Sequence, residues 1–305
     1  VTARLSVVVP ARDAAHTLAS AVGSVLDQEV DVEVIIVDDA SSDATAKVAA
    51  TLAQDRRVRV VHRVANGGPA VARNDGLRRS HGEFVLFLDA DDRLTPGALV
   101  ALSNEFEPDV VAVLGRFDAV DEAGEHLDIG TWAGSQLRPV VRRSGRYVDS
   151  PDGFTAEALL TRLVSPPPGG VLVRRASALA VGGYDSSCAR SEDLDFLVRL
   201  STRGRIVALE RVVLVYTRQQ RQRSAAVHRR QLGRQRTMLA LVLRAPTRPE
   251  ARARARGIVA HHLDRASTRW HYGGHGVRDA AAVARSLALA GAFGVLGRLA
   301  PRRGP

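Results

Sequence analysis

The sequence predicts an α/β fold with a mostly parallel central sheet flanked by helices and a helical appendage at the carboxyl end, and three observations carry that prediction. Short apolar runs at residues 5–9, 33–37, 58–61, 84–88 and 109–114 alternate with segments whose apolar residues recur at helical spacing. Strands separated by helices in this way pair in parallel through crossover connections. The run Val85-Leu-Phe-Leu88 is apolar on both faces, as a buried parallel strand requires. Finally, carboxylates gather just after two of these runs, at the strand ends where open α/β sheets bind ligands.

Taken in order, residues 5–9 are the first strand, closed by Pro10, and Leu18, Val22, Val25 and Leu26 mark a helix after it. Residues 33–37 run into Asp38-Asp39-Ala-Ser-Ser-Asp43, where Asp43 is expected to cap a helix over 44–53 with Val48 and Leu52 on its apolar face. A third strand at 58–61 turns Arg59 the other way. Gly67-Gly68 then leads into a helix from Pro69, a residue favoured at the first helical position. The fourth strand, from Phe84, ends in Asp89-Ala-Asp91-Asp92. Thr95-Pro96 is expected to start the next helix, and 109–114 to form a fifth strand. Residues 115–150 show no clear period and are expected to hold loops and short antiparallel strands. Pro166-Pro-Pro-Gly-Gly170 breaks any helix before the strand 171–173, Gly182-Gly183-Tyr184-Asp185 reads as a turn, and 192–199 as a helix with an acidic start. Residues 206–209 and 212–216 read as two closing strands. A boundary is placed at 220, separating a domain over 1–220 from a basic, Arg- and Ala-rich helical region over 221–305.

Charge is distributed unevenly between these two regions. The net +10 of the 305-residue chain resolves into −6 up to residue 215 and +16 beyond it. A basic block of this kind implies an anionic partner. Residues 286–300, between Arg285 and Arg298, suit an anionic membrane surface, or else a cap on the domain over 1–220 or on a second copy in a homodimer. No nucleic-acid partner is expected, because the block holds few aromatic residues for base stacking. The single cysteine, Cys188, excludes an internal disulfide and a zinc framework and fits a reducing, cytoplasmic compartment. Neither a secretory leader nor a membrane-crossing apolar run is expected.

Asp89-x-Asp91 alone is a weak signal, since Asp is also a common turn residue. Three acidic clusters on one sheet edge say more: Asp38/Asp39, Asp89/Asp91/Asp92 and Glu192/Asp193/Asp195. Such charge repels itself unless a cation or a hydrogen-bonding ligand offsets it. Six stretches in order then carry a resemblance. They are Leu5-Ser-Val-Val-Val-Pro-Ala-Arg-Asp13, Val37-Asp-Asp-Ala-Ser-Ser-Asp43, Asn66-Gly-Gly-Pro-Ala-Val-Ala-Arg-Asn-Asp-Gly76, Phe87-Leu-Asp-Ala-Asp-Asp92, Gly182-Gly-Tyr-Asp185 and Ser191-Glu-Asp-Leu-Asp-Phe196. Over residues 4–220 the chain resembles the family 2 glycosyltransferases of the GT-A fold, inverting enzymes that use nucleotide-sugar donors.

The resemblance implies a role for each matching residue. Pro10, Ala11, Arg12 and Asp39 would contact the nucleotide base, and Arg73 would lie near the nucleotide. Asp89 would reach the ribose or the metal, and Asp91 would hold Mg²⁺ or Mn²⁺ across the phosphates. Asp193 would be the general base, with its neighbour Glu192 as the other candidate. The family's Tyr-Arg-x-His stretch reads Tyr216-Thr-Arg218 here, with Gln220 or Arg221 in place of the histidine, so Arg218, Arg221 and Arg223 are the phosphate-side candidates. The acceptor would be a glycan, a lipid-linked molecule or a small molecule. Two other readings of the fold are a nucleotidyltransferase and a non-catalytic nucleotide- or glycan-binding module. Against the first stands the absence of a Gly-rich signature after the first strand; against the second, the intact Asp89, Asp91 and Asp193. A dinucleotide-binding oxidoreductase is set aside because no G-x-G-x-x-G follows the first strand.

Overall fold

The computed structural model describes residues 4–127, 141–143, 146–148, 154–156, 159, 166–188, 192–218, 254, 255 and 258. The ten described strands make one mixed sheet in the order β3-β2-β1-β4-β9-β6-β10-β8-β7, with the two-residue β5 paired to β10. The strands are β1 (Leu5–Ala11), β2 (Val32–Asp38), β3 (Val58–His62), β4 (Phe84–Phe87), β5 (Arg93–Leu94), β6 (Val110–Val120), β7 (Val141–Arg143), β8 (Arg146–Val148), β9 (Val171–Arg174) and β10 (Arg205–Thr217). The helices are α1 (Leu18–Leu26), α2 (Thr45–Leu52), α3 (Pro69–Arg79), α4 (Ala98–Ser103), α5 (Arg175–Ala180) and α6 (Glu192–Leu200).

β3, β2, β1 and β4 are parallel, as are β6 and β10, while β9 runs antiparallel between β4 and β6. The antiparallel β9 reverses the chain inside the sheet, a step that apolar runs alone do not reveal. Side chains alternate across the sheet. Val8, Ile35, Val85 and Phe87 pack on one face with Leu77, Ala178, Leu194 and Leu197. Val7, Val9, Val34, Ile36 and Leu86 pack on the other with Leu18, Val22, Val25, Ala49 and Leu99. Full burial of Leu18, Val22 and Val25 stabilises α1 by roughly 2 kcal/mol each. Ala255 and Ile258 lie in the first of these clusters, so these residues of the basic region contribute to the core.

Several elements differ from their sequence expectations for identifiable reasons. β1 continues through Pro10. The Ala11 carbonyl accepts from Asp39 N–H and the Val8 carbonyl from Leu88 N–H, so Pro10 faces β4 where that ladder ends and its missing donor costs nothing. α2 starts at Thr45. Asp43 accepts from the Thr45 amide (2.9 Å) and hydroxyl (2.5 Å) from just outside the helix, and Thr45 and Ala49 form the buried face, with Val48 and Leu52 partly buried. Thr95 does not cap α4: its hydroxyl donates to the Val212 carbonyl at 2.8 Å, and the helix starts at Ala98 after a left-handed Gly97. β6 extends six residues beyond the expected end, to Val120. The two expected closing strands are one, β10, carried across a register shift between Ala208 and Val212. No described helix is long and apolar enough to cross a membrane. The expectations for residues 221–253 and 286–300 lie outside the described residues.

Candidate functional site

The carboxyl ends of the parallel strands bring the expected groups to one edge. At the end of β2, Asp38 is buried, accepts from Ser41 N–H at 3.0 Å and lies 3.1 Å from His62 Nδ1 of β3. Asp39, next in sequence, turns toward the β3–α3 loop. Its two carboxylate oxygens accept from Gly67 N–H (2.9 Å) and Gly68 N–H (2.8 Å), and Arg63 also donates to it. Arg63 in turn reaches Asp75 of α3 at 2.8 Å. Asp39 therefore fastens the glycine loop, and it shares the edge with Pro10, Ala11 and Arg12, whose guanidinium lies 3.5 Å from the Asp39 carbonyl. Two residues on this edge, Asp13 and Ala40, have positive φ (48° and 58°), a conformation that costs a non-glycine residue free energy and concentrates at ligand sites.

Arg73 occupies the centre. α3 carries it inward, where it is 3% exposed. One end of its fork donates to Asp89 at 2.7 Å and the other to Glu192 of α6 at 3.1 Å, while its carbon lies 5.2 Å from the centre of the Tyr184 ring. Burial disfavours its charge, but Asp89, Tyr184 and Glu192 outweigh burial and raise its pKa above the ordinary guanidinium value. Its Nε is buried with no partner among the described residues. Asp89 is thus joined to the acidic start of α6 by a guanidinium from a third element, a link for which the sequence holds no local sign.

Asp92 is fully buried in the protein beside Asp89 and Asp91. Its Oδ1 accepts from Thr217 N–H at 2.9 Å, and its Oδ2 has no partner among the described residues. Burial, reinforced by the charges of Asp89 and Asp91, pushes its pKa well above the carboxylate range. The bond to Thr217 ties the end of β10 to this cluster and sets Arg218 beside it. Burial and the charges of Asp92, Asp91 and Asp89 also raise the pKa of Tyr216. Arg221 lies outside the described residues.

In the first turn of α6, Glu192 is committed to Arg73, and Asp193 Oδ1 accepts from Leu194 N–H at 2.8 Å. Asp195 is not part of the open edge. It is buried and paired with Arg199 one turn later, at 2.5 Å. Asp89 and Asp91 offer hard oxygen donors, the ligand type that a divalent cation such as Mg²⁺ or Mn²⁺ takes. The sequence expectations assigned no role to Tyr184, Asn74, Arg63 and Arg199, although Asn74 and Tyr184 lie within the quoted stretches. For Arg199 the local signal was its spacing of four from Asp195, a helical pairing distance.

With this geometry in hand, the relatives are informative. Glycosyltransferase GlyG of Streptococcus pneumoniae is 34% identical over 122 residues, covering 39% of this chain and 40% of that one. Succinoglycan biosynthesis protein ExoU of Rhizobium meliloti is 36% identical over 129 residues, covering 42% of this chain and 38% of that one. The chain thus spans about four tenths of the length of these two relatives. Among solved structures, S. aureus TarS 1–349 superposes with a TM-score of 0.64 at 18% identity, covering 97% of this chain and 83% of that chain. That likeness shows the fold, the mixed α/β GT-A architecture; TarS has also been solved with UDP-GlcNAc and with UDP. The model of the glycosyl transferase family 2 matches residues 6–162, just over half of the sequence, and the chain belongs to that family.

Proposed function

We propose that this chain transfers a sugar from a nucleoside diphosphate donor, with UDP the first candidate, to an acceptor hydroxyl with inversion at the sugar carbon. The observation that carries the reading is the junction at Arg73. One buried guanidinium holds Asp89 of the donor side and Glu192 of the base side, and the carboxylates Asp91, Asp92 and Asp193 lie around them. That excess of negative charge calls for a cation and for hydrogen-bond donors. The UDP-GlcNAc and UDP complexes of TarS support a uridine donor.

On this reading Pro10, Ala11, Arg12 and Asp39 receive the base, beside the Gly67–Gly68 loop that Asp39 fastens. Asp91 and Asp89 would hold Mg²⁺ or Mn²⁺, which would offset the charge building on the departing diphosphate. Arg218, next after the end of β10, would approach the phosphates, and Arg221 is the further phosphate-side candidate from the sequence. Asp193 accepts the proton of the acceptor hydroxyl as that oxygen bonds to the sugar carbon. The bond from that carbon to the phosphate oxygen breaks, and its electron pair leaves with the diphosphate. Glu192 is the poorer candidate, because its carboxylate is already held by the buried Arg73 guanidinium at 3.1 Å. Arg73 then acts by holding both halves of the site rather than by touching the nucleotide.

Asp193→Asn is expected to keep nucleotide affinity and to lose about 10²-fold or more in turnover, the scale of a missing general base. Glu192→Gln should lose less. Transfer rates measured beside UDP affinity for both variants test this: an active Asp193→Asn with a dead Glu192→Gln would move the base to Glu192, and two active variants would refute the mechanism.

A further inference from the structure

The turn between α5 and α6 is held by side chains from two helices. The Tyr184 N–H donates to Asn74 Oδ1 at 2.8 Å, and Asn74 Nδ2 donates back to the Tyr184 carbonyl at 2.7 Å. The Asn74 side chain thus pairs with Tyr184 as a neighbouring strand would. From the other side Arg199 Nη1 donates to the Val181 carbonyl at 2.6 Å and the Gly183 carbonyl at 2.7 Å, while its remaining donors hold Asp195. The Val181, Gly182 and Gly183 amides donate to the carbonyls of Ser177, Leu179 and Ala178. The clasp dictates the residue at 183: φ is +69°, and a β-carbon there would lie 2.2 Å from Asn74 Oδ1, so glycine is required twice over.

Ordinary turns are not fixed by long-range bonds from two helices, and what this one carries gives a reason. Tyr184 is buried, stacked on Phe196 of α6 at 4.4 Å and set edge-on to Phe87 of β4 at 5.0 Å, with Arg73 above its ring. Phe87 lies two residues before Asp89, and Phe196 three residues after Asp193. The Tyr184 ring is therefore the spacer between the strand end that presents Asp89 and the helix that presents Asp193. Asn74, the residue after Arg73, ties that spacer to α3.

We infer that Asn74 is a positioning residue of the transfer site: by clasping the Tyr184 peptide it sets the spacing between the Arg73–Asp89 half and the Glu192–Asp193 half. It touches no reacting atom and acts through Tyr184 and α6. The inference rests on the base assignment proposed above. A misplacement of about 1 Å between reacting groups costs on the order of 10²-fold in rate. A loosened clasp should therefore damage transfer much more than nucleotide binding, which uses β1, β2 and the β4 end.

The test uses the full chain with UDP, Mn²⁺ and UDP-GlcNAc as probes. Asn74→Ala removes the clasp, and Asn74→Asp keeps only the acceptor for the Tyr184 N–H. Both are compared with the unsubstituted chain and with Asp193→Asn in UDP affinity, UDP release from UDP-GlcNAc, and amide exchange over 192–200. The expected result is UDP affinity within about threefold, UDP release lowered about tenfold or more in Asn74→Ala and less in Asn74→Asp, and faster exchange at the start of α6. Parallel losses of affinity and rate would reduce Asn74 to a structural residue and overturn the inference, as would unchanged release. If the unsubstituted chain releases no UDP, or Asp193→Asn releases it at the full rate, the donor or base assignment fails instead. Exchange over 192–200 then tests the clasp alone, with faster exchange in Asn74→Ala supporting the hold of Asn74 on α6 and unchanged exchange overturning it. Should Asn74→Ala fail to fold, Asn74→Asp is judged by the same readings.

Discussion

Glu33 and Asp92 are both deeply buried carboxylates, at opposite ends of one sheet, and their surroundings differ. Glu33, at the amino ends of the strands, accepts from the Ser6 hydroxyl (2.6 Å), the His81 amide (2.6 Å) and the Arg59 guanidinium (2.7 Å), with Arg4 also near. Burial pushes its pKa up, but these partners outweigh burial and hold it below the ordinary glutamate value. Asp92, at the carboxyl ends, has one amide partner, an oxygen with none among the described residues, and two like charges beside it, and its pKa is pushed up. The first carboxylate closes a network that joins β1, β2, β3 and the turn before β4. The second lies at the ligand-facing end of the sheet with one oxygen that has no partner among the described residues. Buried polar groups left unsatisfied in a folded protein call for an explanation, and a ligand site is one of the commonest.

The contrast yields predictions of opposite sign. Glu33→Ala strands the Ser6 hydroxyl, the His81 amide and the charge of Arg59, and should cost about 3 kcal/mol of stability without changing nucleotide affinity. Because the folded-state pKa of Glu33 is lowered, its contribution is complete above the ordinary glutamate value and is lost as the pH falls through the folded value. The gap between Glu33→Ala and the unsubstituted chain in denaturant midpoint should therefore be widest near neutral pH and narrow under acid. An unchanged midpoint at pH 7 would break the comparison.

A smaller effect is expected at the other end. The folded-state pKa of Asp92 is raised, so its contribution is complete below the ordinary aspartate value and is lost as the pH rises toward the folded value. Asp92→Asn keeps an oxygen for the Thr217 N–H and removes a buried acid amid like charges, and should gain about 1 kcal/mol at pH 7 and little at pH 4. A loss at neutral pH would mean that Asp92 is as well satisfied as Glu33. Smallest of all, Ala40→Gly relieves a left-handed alanine at the cost of a more flexible unfolded chain, for a net gain of about 0.5 kcal/mol in thermal unfolding. A loss there would show that the positive φ at Ala40 carries no strain.

The parallel half of the fold could be read from the sequence because each strand there is a short apolar run followed by helical spacing. The other half resisted for physical reasons. Gly115 reads as a strand end, yet β6 passes through it because a β-carbon there would lie 2.3 Å from Val213, so the glycine marks close approach of β10 rather than a break. Glu210 and Arg211 read as a gap between two strands and instead lie within a register shift of one. The acidic clusters were legible as motifs at strand ends. The direction each carboxylate takes was not, and adjacent residues part company: Asp91 stays at the edge while Asp92 turns inward, and Asp38 takes His62 while Asp39 takes the glycine loop. Those outcomes depend on partners such as Thr217, 125 residues from Asp92, that leave no local trace.

The central claim is that the carboxyl-edge carboxylates form a cation-dependent nucleotide site. Calorimetric titration of UDP with and without Mn²⁺, into the unsubstituted chain and into Asp91→Asn, tests it most directly. The account predicts Mn²⁺-dependent binding that Asp91→Asn abolishes while its unfolding temperature is retained. Equal UDP affinity in both proteins, or affinity indifferent to Mn²⁺, would contradict it.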